Sequence, residues 1–211
     1  MNAKNQILGI TSEVSENLVD NVLLNTTENA LEEVIKAFPI VSALKGIYQG
    51  FTQYQLNKRA QQFLYFIEEC ESRDPGDILK IFKDKSNVET GMEIINALDT
   101  SYLVNHAQML ARVTLLYDAK EISREKFLEY VHVIPRLTSH LLTQIKYCYE
   151  QQLLLIANNK SDDGFIGGDF ELVGYKFLSP VPLASGGFRY TGTTHLKFFY
   201  EKIYQNSHGR S

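Results

Sequence analysis

The chain has 211 residues, 44% of them hydrophobic and 22% charged, which is ordinary for a globular protein and sufficient for a real core. The formal net charge of -4 argues against a protein that coats nucleic acid non-specifically, because such binding needs a surplus of Lys and Arg. Two isolated cysteines without a Cys-x-x-Cys motif indicate neither a zinc site nor a redox motif. Met1–Glu16 is largely polar, so we expect no signal peptide and a cytoplasmic location.

An apolar segment near Pro39 dominates the first third of the chain. Between Phe38 and Thr52 the few polar side chains recur every three or four residues, which on a helix gives one narrow polar stripe. At about 15 residues and roughly 1.5 Å per residue this segment is too short for a bilayer core of roughly 30 Å. A helix with so wide an apolar face must still be buried. We therefore predict four core or subunit-interface positions: Ile40, Leu44, Ile47 and Phe51.

The central helix is predicted over residues 38–70, and its second half is amphipathic. Its predicted inward positions are Phe63, Leu64, Phe66 and Ile67, and its predicted outward positions are Asn57, Lys58, Arg59, Gln61 and Gln62. Ser72–Gly76 is a helix breaker, and Asp77 is expected to cap a short helix over Ile78–Lys83.

Four further helices are predicted before the composition changes at Asn158. The first, Val88–Leu98, is followed by a helix that Asp99 or Thr100 restarts, and the third begins at the N-cap Ser123 and ends at Pro135. A fourth, longer helix is predicted over Ser139–Ala157, with an apolar stripe of Leu141, Leu142, Ile145, Tyr149, Leu153 and Ile156.

The β-like material lies near the C-terminus. Phe170–Leu178 and Gly187–Thr191 are predicted strands, with Pro180 and Pro182 in the tip between them. Thr193 or Thr194 is expected to cap a final helix. The fold class predicted is mostly α: an N-terminal helical part, 1–98, and a C-terminal part, 99–211, that contains a β-hairpin, 170–191, and a last helix, 194–205.

Several short motifs carry a resemblance to known proteins. They are Pro39–Leu44 at the apolar helix, the helix from Asp99 to Leu110, the Ile122–Phe127 turn, and the strand-to-helix sequence Phe188–Leu196. With these motifs the chain resembles a loose group of bacterial and phage-related helical proteins, and its last hundred residues resemble a winged-helix arrangement. The resemblance implies a genomic setting near phage-defence and mobile-element genes, and it supplies no catalytic residues.

The candidate sites for chemistry are weak. His132 and His140 lie eight residues apart, but Pro135 falls between them and no metal-binding motif is present. The acidic loop around Asp163 and Asp169 lacks the ligand alternation of a calcium loop. We therefore predict a protein that is not an enzyme and that has no metal and no cofactor.

Three functions remain open at this point. The first is a non-catalytic protein-interaction or regulatory module of a bacterial or phage conflict system, with a protein partner or self-association as a homo-oligomer. The second is a winged-helix DNA-binding regulator, whose contacts would include Arg136, Lys146 and Arg189. The third is a membrane-associated effector that uses the apolar helix 38–52.

Overall fold

A computed structural model describes residues 53–74, 88–160 and 163–205. These residues form seven α-helices and a two-stranded antiparallel hairpin near the C-terminus, which confirms the predicted mostly α fold with a small hairpin. The predicted helix beginning near Pro39 and the short helix over Ile78–Lys83 lie outside the described residues, apart from the part of the former beyond Thr52.

The structure separates into two compact units, which meet in sequence between Pro135 and Arg136. The sequence placed a boundary between residues 98 and 99 instead. That position falls inside the helix Val88–Thr100, which belongs to the first unit.

The first unit contains four of the helices: α1 (Gln53–Arg73), α2 (Val88–Thr100), α3 (Val104–Asp118) and α4 (Arg124–Val133). Helix α1 packs on α3, and α2 packs on α1, α3 and α4. A 3-10 turn, Ile134–Arg136, follows α4 where Pro135 ends the helical pattern. The core of this unit includes Phe66, Ile67, Ile94, Met109, Leu110, Val113 and Phe127.

Helix α1 confirms the predicted buried face, whereas of the predicted outward side chains that the structure describes, Lys58 and Gln61 are half-buried. The four residues predicted to face inward are buried: Phe63, Leu64, Phe66 and Ile67. Gln62 is also buried, although it was expected to face outward. Gln62 lies one turn before Phe66, so both side chains project from the same face of the helix. A polar side chain therefore occupies the edge of the buried stripe.

The start of α3 differs from the prediction. Asp99 and Thr100 do not restart a helix, because α2 continues through Thr100 and α3 begins after Leu103 without a side-chain cap. The hydroxyl groups of Thr100 and Ser101 donate to the Ala97 carbonyl, at 3.0 and 2.8 Å, and so complete the end of α2. By contrast, the predicted N-cap Ser123 is confirmed, since its hydroxyl accepts the Lys126 N–H at 3.2 Å.

The second unit is built around α5 (Ser139–Ala157), whose bounds match the prediction and whose N-cap is Thr138. A short helix, α6 (Glu171–Gly174), precedes strands β1 (Leu178–Pro182) and β2 (Phe188–Gly192). Helix α7 (Thr194–Phe198) continues into a π-helix, Phe199–Tyr204, with Thr193 as the N-cap. As predicted, the last helix buries Leu196, Phe199, Tyr200 and Ile203.

The first predicted strand is misplaced. Phe170–Leu178 instead contains the short helix α6, and the Asp169 side chain accepts the Glu171 N–H at 2.8 Å at its start. Lys176, at a φ of 63°, then turns the chain toward β1. The strand begins only at Leu178 and pairs with β2 from Leu178 opposite Gly192 to Pro182 opposite Phe188. The second predicted strand, Gly187–Thr191, is confirmed to within one residue.

Candidate functional site

The predicted interface or core residues Ile40, Leu44, Ile47 and Phe51 lie outside the described residues, so they stay predictions. The three predicted nucleic-acid contacts, Arg136, Lys146 and Arg189, all belong to the second unit.

Those three basic side chains lie on three different elements. Lys146 is exposed on α5, and its Nζ lies 3.9 Å from a carboxylate oxygen of Glu150. Arg189 is half-buried on β2 and donates from Nη1 to the Asp163 carbonyl oxygen at 3.0 Å. Arg136 is exposed at the end of the 3-10 turn. Lys146 and Arg189 thus have acceptors within the protein, which makes them less available for phosphate groups.

His132 and His140, which lie eight residues apart in the sequence, belong to different parts of the structure. His132 belongs to the first unit and His140 to the second. His140 Nε2 instead lies 3.4 Å from Asp169 Oδ2, within the second unit, with the histidine largely exposed. Over residues 53–74, 88–160 and 163–205, no group of three or more His, Cys, Asp or Glu side chains is arranged to hold a metal ion.

The thiol of Cys148 is buried near Asp169, two turns of α5 beyond His140. Burial, with a further contribution from the Asp169 carboxylate, raises the pKa of Cys148 to about 12. The thiol is therefore protonated at neutral pH, whereas a nucleophilic cysteine needs a pKa lowered by positive charge. In burial and protonation, Cys148 is like a cysteine packed in a protein core.

The glycine-rich loop before α6 is a packed structural element. Phe165 exchanges two backbone hydrogen bonds with Tyr190 of β2, both at 2.8 Å. A Cβ at Gly168 would lie 2.8 Å from the Tyr190 ring and 2.9 Å from Leu178, so the loop backbone lies directly on these side chains. The Tyr147 hydroxyl donates to the Ile166 carbonyl at 3.0 Å and ties the loop to α5. The loop therefore braces the hairpin.

A buried ion pair in the first unit was missed by sequence analysis. Arg112 of α3 is only 1% exposed, and its Nε donates to Glu69 Oε1 of α1 at 2.8 Å. Arg73 donates to the same carboxylate oxygen. Burial alone would raise the pKa of Glu69, but the hydrogen bonds from Arg112 and Arg73 outweigh it and lower that pKa. The one available signal was an arginine inside an otherwise apolar run of α3.

The feature of the second unit with the clearest bearing on function is an exposed apolar patch. At the C-terminal end of α5, Leu153, Leu154 and Ile156 are 45%, 56% and 53% exposed. We call these three side chains the α5 apolar surface. Leu153 and Ile156 had been predicted to belong to the buried stripe of the helix, which is wrong. The buried stripe of α5 ends near Cys148, and the remaining turns extend beyond the side chains that cover it.

The sequence does contain a signal for this surface. Four successive apolar residues, Leu153 to Ile156, cover more than one turn of a helix, so they cannot all face one core. The run from Gln151 to Asn159 is also free of charge. Several exposed apolar side chains close together in sequence make the end of α5 a candidate contact surface.

Comparison with known proteins gives no further direction: no family model, curated protein or solved structure matches the chain.

Proposed function

We propose that this protein is a non-catalytic protein-interaction or regulatory module that makes its contacts through the α5 apolar surface. The observation that supports this proposal is the exposure of Leu153, Leu154 and Ile156 within about one turn at the C-terminal end of one helix. Burying these groups against another protein would remove apolar area from water at roughly 25 cal/mol per Å².

The chemistry around the surface favours a protein over a nucleic acid. Between Glu150 and Lys160 the helix carries no charged side chain, so it offers nothing to a phosphate group. A protein contact needs an apolar centre with a polar rim, and the amides of Gln151 and Asn158 and the charges of Glu150 and Lys160 lie at the two ends of the run.

Self-association is the form of contact that we propose to test first, in a homo-oligomer located in the cytoplasm. The bacterial or phage conflict setting rests on the resemblance of the chain's motifs and is part of the same proposal. The DNA-binding alternative would rely on Arg136, Lys146 and Arg189, of which Lys146 and Arg189 already have acceptors.

The membrane alternative depends on helix 38–52, which lies outside the described residues. None of the helices in residues 53–74, 88–160 and 163–205 has the length and apolar character needed to cross a bilayer.

The direct experiment compares the full chain with Leu154→Glu over a range of concentrations by sedimentation velocity. We expect the unchanged chain to form larger species as concentration rises and Leu154→Glu to remain the smallest species. Thr143→Glu is the matched control, because Thr143 is exposed three turns earlier on the same helix, outside the α5 apolar surface.

The outcome that would contradict the proposal is equal association by all three proteins, or none by any of them. A salt-dependent mobility shift of duplex DNA, weakened by Arg189→Ala and unchanged by Leu154→Glu, would move the DNA-binding alternative ahead.

A further inference from the structure

Strand β1 directs its backbone groups alternately toward β2 and away from it. The Leu183 N–H donates to the Gly187 carbonyl at 3.1 Å, just beyond the last strand pair. In an antiparallel ladder every second residue makes such bonds, so Val181 and Ser179 also face β2. Pro180 and Pro182 consequently lie at the positions whose backbone faces the free side of the strand.

The hydrogen bonds on the other side of β2 agree with this alternation of backbone directions. Tyr190 is the partner of Pro180 in the register, and it makes no ladder bond toward β1 because its N–H and carbonyl both bond to Phe165 on the other side. That edge of the sheet is therefore covered by the glycine-rich loop, while the edge of β1 has no further strand among the described residues.

Proline has no N–H, so two successive outward positions of β1 lack a donor. Ser179, Pro180 and Pro182 are exposed, and residues 178–183 carry no charged side chain. Natural proteins protect exposed sheet edges with charged residues, bulges or prolines, because an unprotected edge pairs with another chain. Because β1 has no charged side chain, Pro180 and Pro182 are the residues that protect its exposed edge from pairing.

We infer that Pro180 and Pro182 form an edge block that prevents β1 from adding a strand from a second copy of this chain. This inference goes beyond the proposed function and does not depend on it, since the α5 apolar surface uses side chains of a helix. The hairpin and the α5 apolar surface therefore make opposite contributions: one excludes association and the other promotes it.

The test restores both missing donors with Pro180→Thr and Pro182→Thr in a chain that also carries Leu154→Glu. The Leu154→Glu background removes association through α5, so any assembly reports on the hairpin. Ser179→Thr in the same background is the matched control, because it places the same residue type on the same strand with its N–H directed toward β2.

We expect the double proline variant to form concentration-dependent oligomers or thioflavin-positive aggregates in sedimentation and dye-binding measurements, and the Ser179→Thr control to form neither. The inference is overturned if the two proteins sediment alike while circular dichroism shows both folded. Should the double variant fail to fold, Pro180→Thr alone is measured against the same control, and behaviour identical to the control overturns the inference equally.

Discussion

The interiors of the two units contain different kinds of interaction. Within the described residues, the buried polar and charged side chains all lie in the first unit, where Arg112 of α3 reaches Glu69 of α1. The second unit is joined through aromatic rings, with Phe177 4.9 Å from Phe199 and Tyr149 stacked on Tyr200 at 4.1 Å. A buried ion pair demands one alignment of its helices, because a displaced partner leaves a charge without compensation.

The two units also differ in what they expose. Seven of the ten exposed large hydrophobic side chains among the described residues belong to the second unit, and three of them form the α5 apolar surface. The first unit therefore contains the buried polar side chains, whereas the second presents more apolar area to its surroundings. This contrast is the reason that the proposed contacts are placed on the second unit.

The largest expected effect on this contrast comes from Glu69→Gln. Removing the carboxylate leaves the buried Arg112 without its opposite charge and should cost roughly 3–5 kcal/mol in the first unit. Glu68→Gln is the control, because Glu68 is the exposed neighbour on the same helix. Hydrogen exchange resolved by peptide should show faster exchange in α1 and α3 and unchanged exchange in α5.

The same carboxylate predicts a pH dependence. Because the pKa of Glu69 is lowered in the folded protein, its contribution to stability is present above the usual carboxyl range and is lost as pH falls through the folded pKa. The stability advantage of the unchanged chain over one in which Arg112 is replaced by Met should therefore shrink as pH falls through the folded pKa of Glu69. Identical acid unfolding curves would show that the pair contributes no pH-dependent stability.

A steric change should have an intermediate effect in the second unit. Gly168→Ala would place a Cβ against Tyr190 and Leu178 and should destabilise the hairpin by roughly 1–3 kcal/mol. Gly174→Ala is the control, since no other atom lies within 4 Å of its added Cβ. Urea unfolding followed by tyrosine fluorescence measures the stability of both variants. Equal stability would mean that the loop moves to accept the Cβ at position 168 without cost.

The smallest effect concerns the tyrosine at the α5–π-helix contact. The Tyr149 hydroxyl donates to Glu201 Oε1 at 2.7 Å, so Tyr149→Phe should cost about 1 kcal/mol. Tyr175→Phe, which removes a more exposed hydrogen bond of 3.0 Å to Glu171, should cost less. Thermal unfolding of the two variants compares them, and a larger loss for Tyr175→Phe would contradict this ranking.

Tyr149 should also be recognisable by its titration. Burial, with the hydrogen bond to Glu201, raises the pKa of Tyr149 to about 12 from an ordinary value of 10.0. Its neutral form is favoured by folding, so this contribution to stability is complete below pH 10.0 and declines as pH rises toward about 12. Burial also raises the pKa of other tyrosines, among them Tyr130, so ultraviolet titration should show a late-ionising group that loses one tyrosine in Tyr149→Phe.

The features that depend on residues close together in the sequence were predicted correctly. The N-cap at Ser123 and the bounds of α5 follow from hydroxyl capping and apolar spacing within a few residues. The β1 strand was missed because Asp169 starts a helical turn and because prolines, which weaken a strand signal, are tolerated here at outward positions.

The tertiary features could not be obtained from spacing alone. Arg112 and Glu69 are 43 residues apart, and nothing in the sequence indicates that they meet. The exposure of Leu153 and Ile156 depends on where the covering side chains end, although the uncharged apolar run could have indicated it. The part of the candidate site based on Ile40 to Phe51 remains a sequence prediction.

The most direct test of the α5 apolar surface is the concentration dependence of amide hydrogen exchange in the full chain. We predict that amides of Gln151–Asn158 become slower to exchange as concentration rises, while those of Ser139–Lys146 do not change. The difference should disappear in Leu154→Glu, whose surface charge resists burial. Exchange in Gln151–Asn158 that stays the same at every concentration would contradict the proposal that this surface mediates self-association.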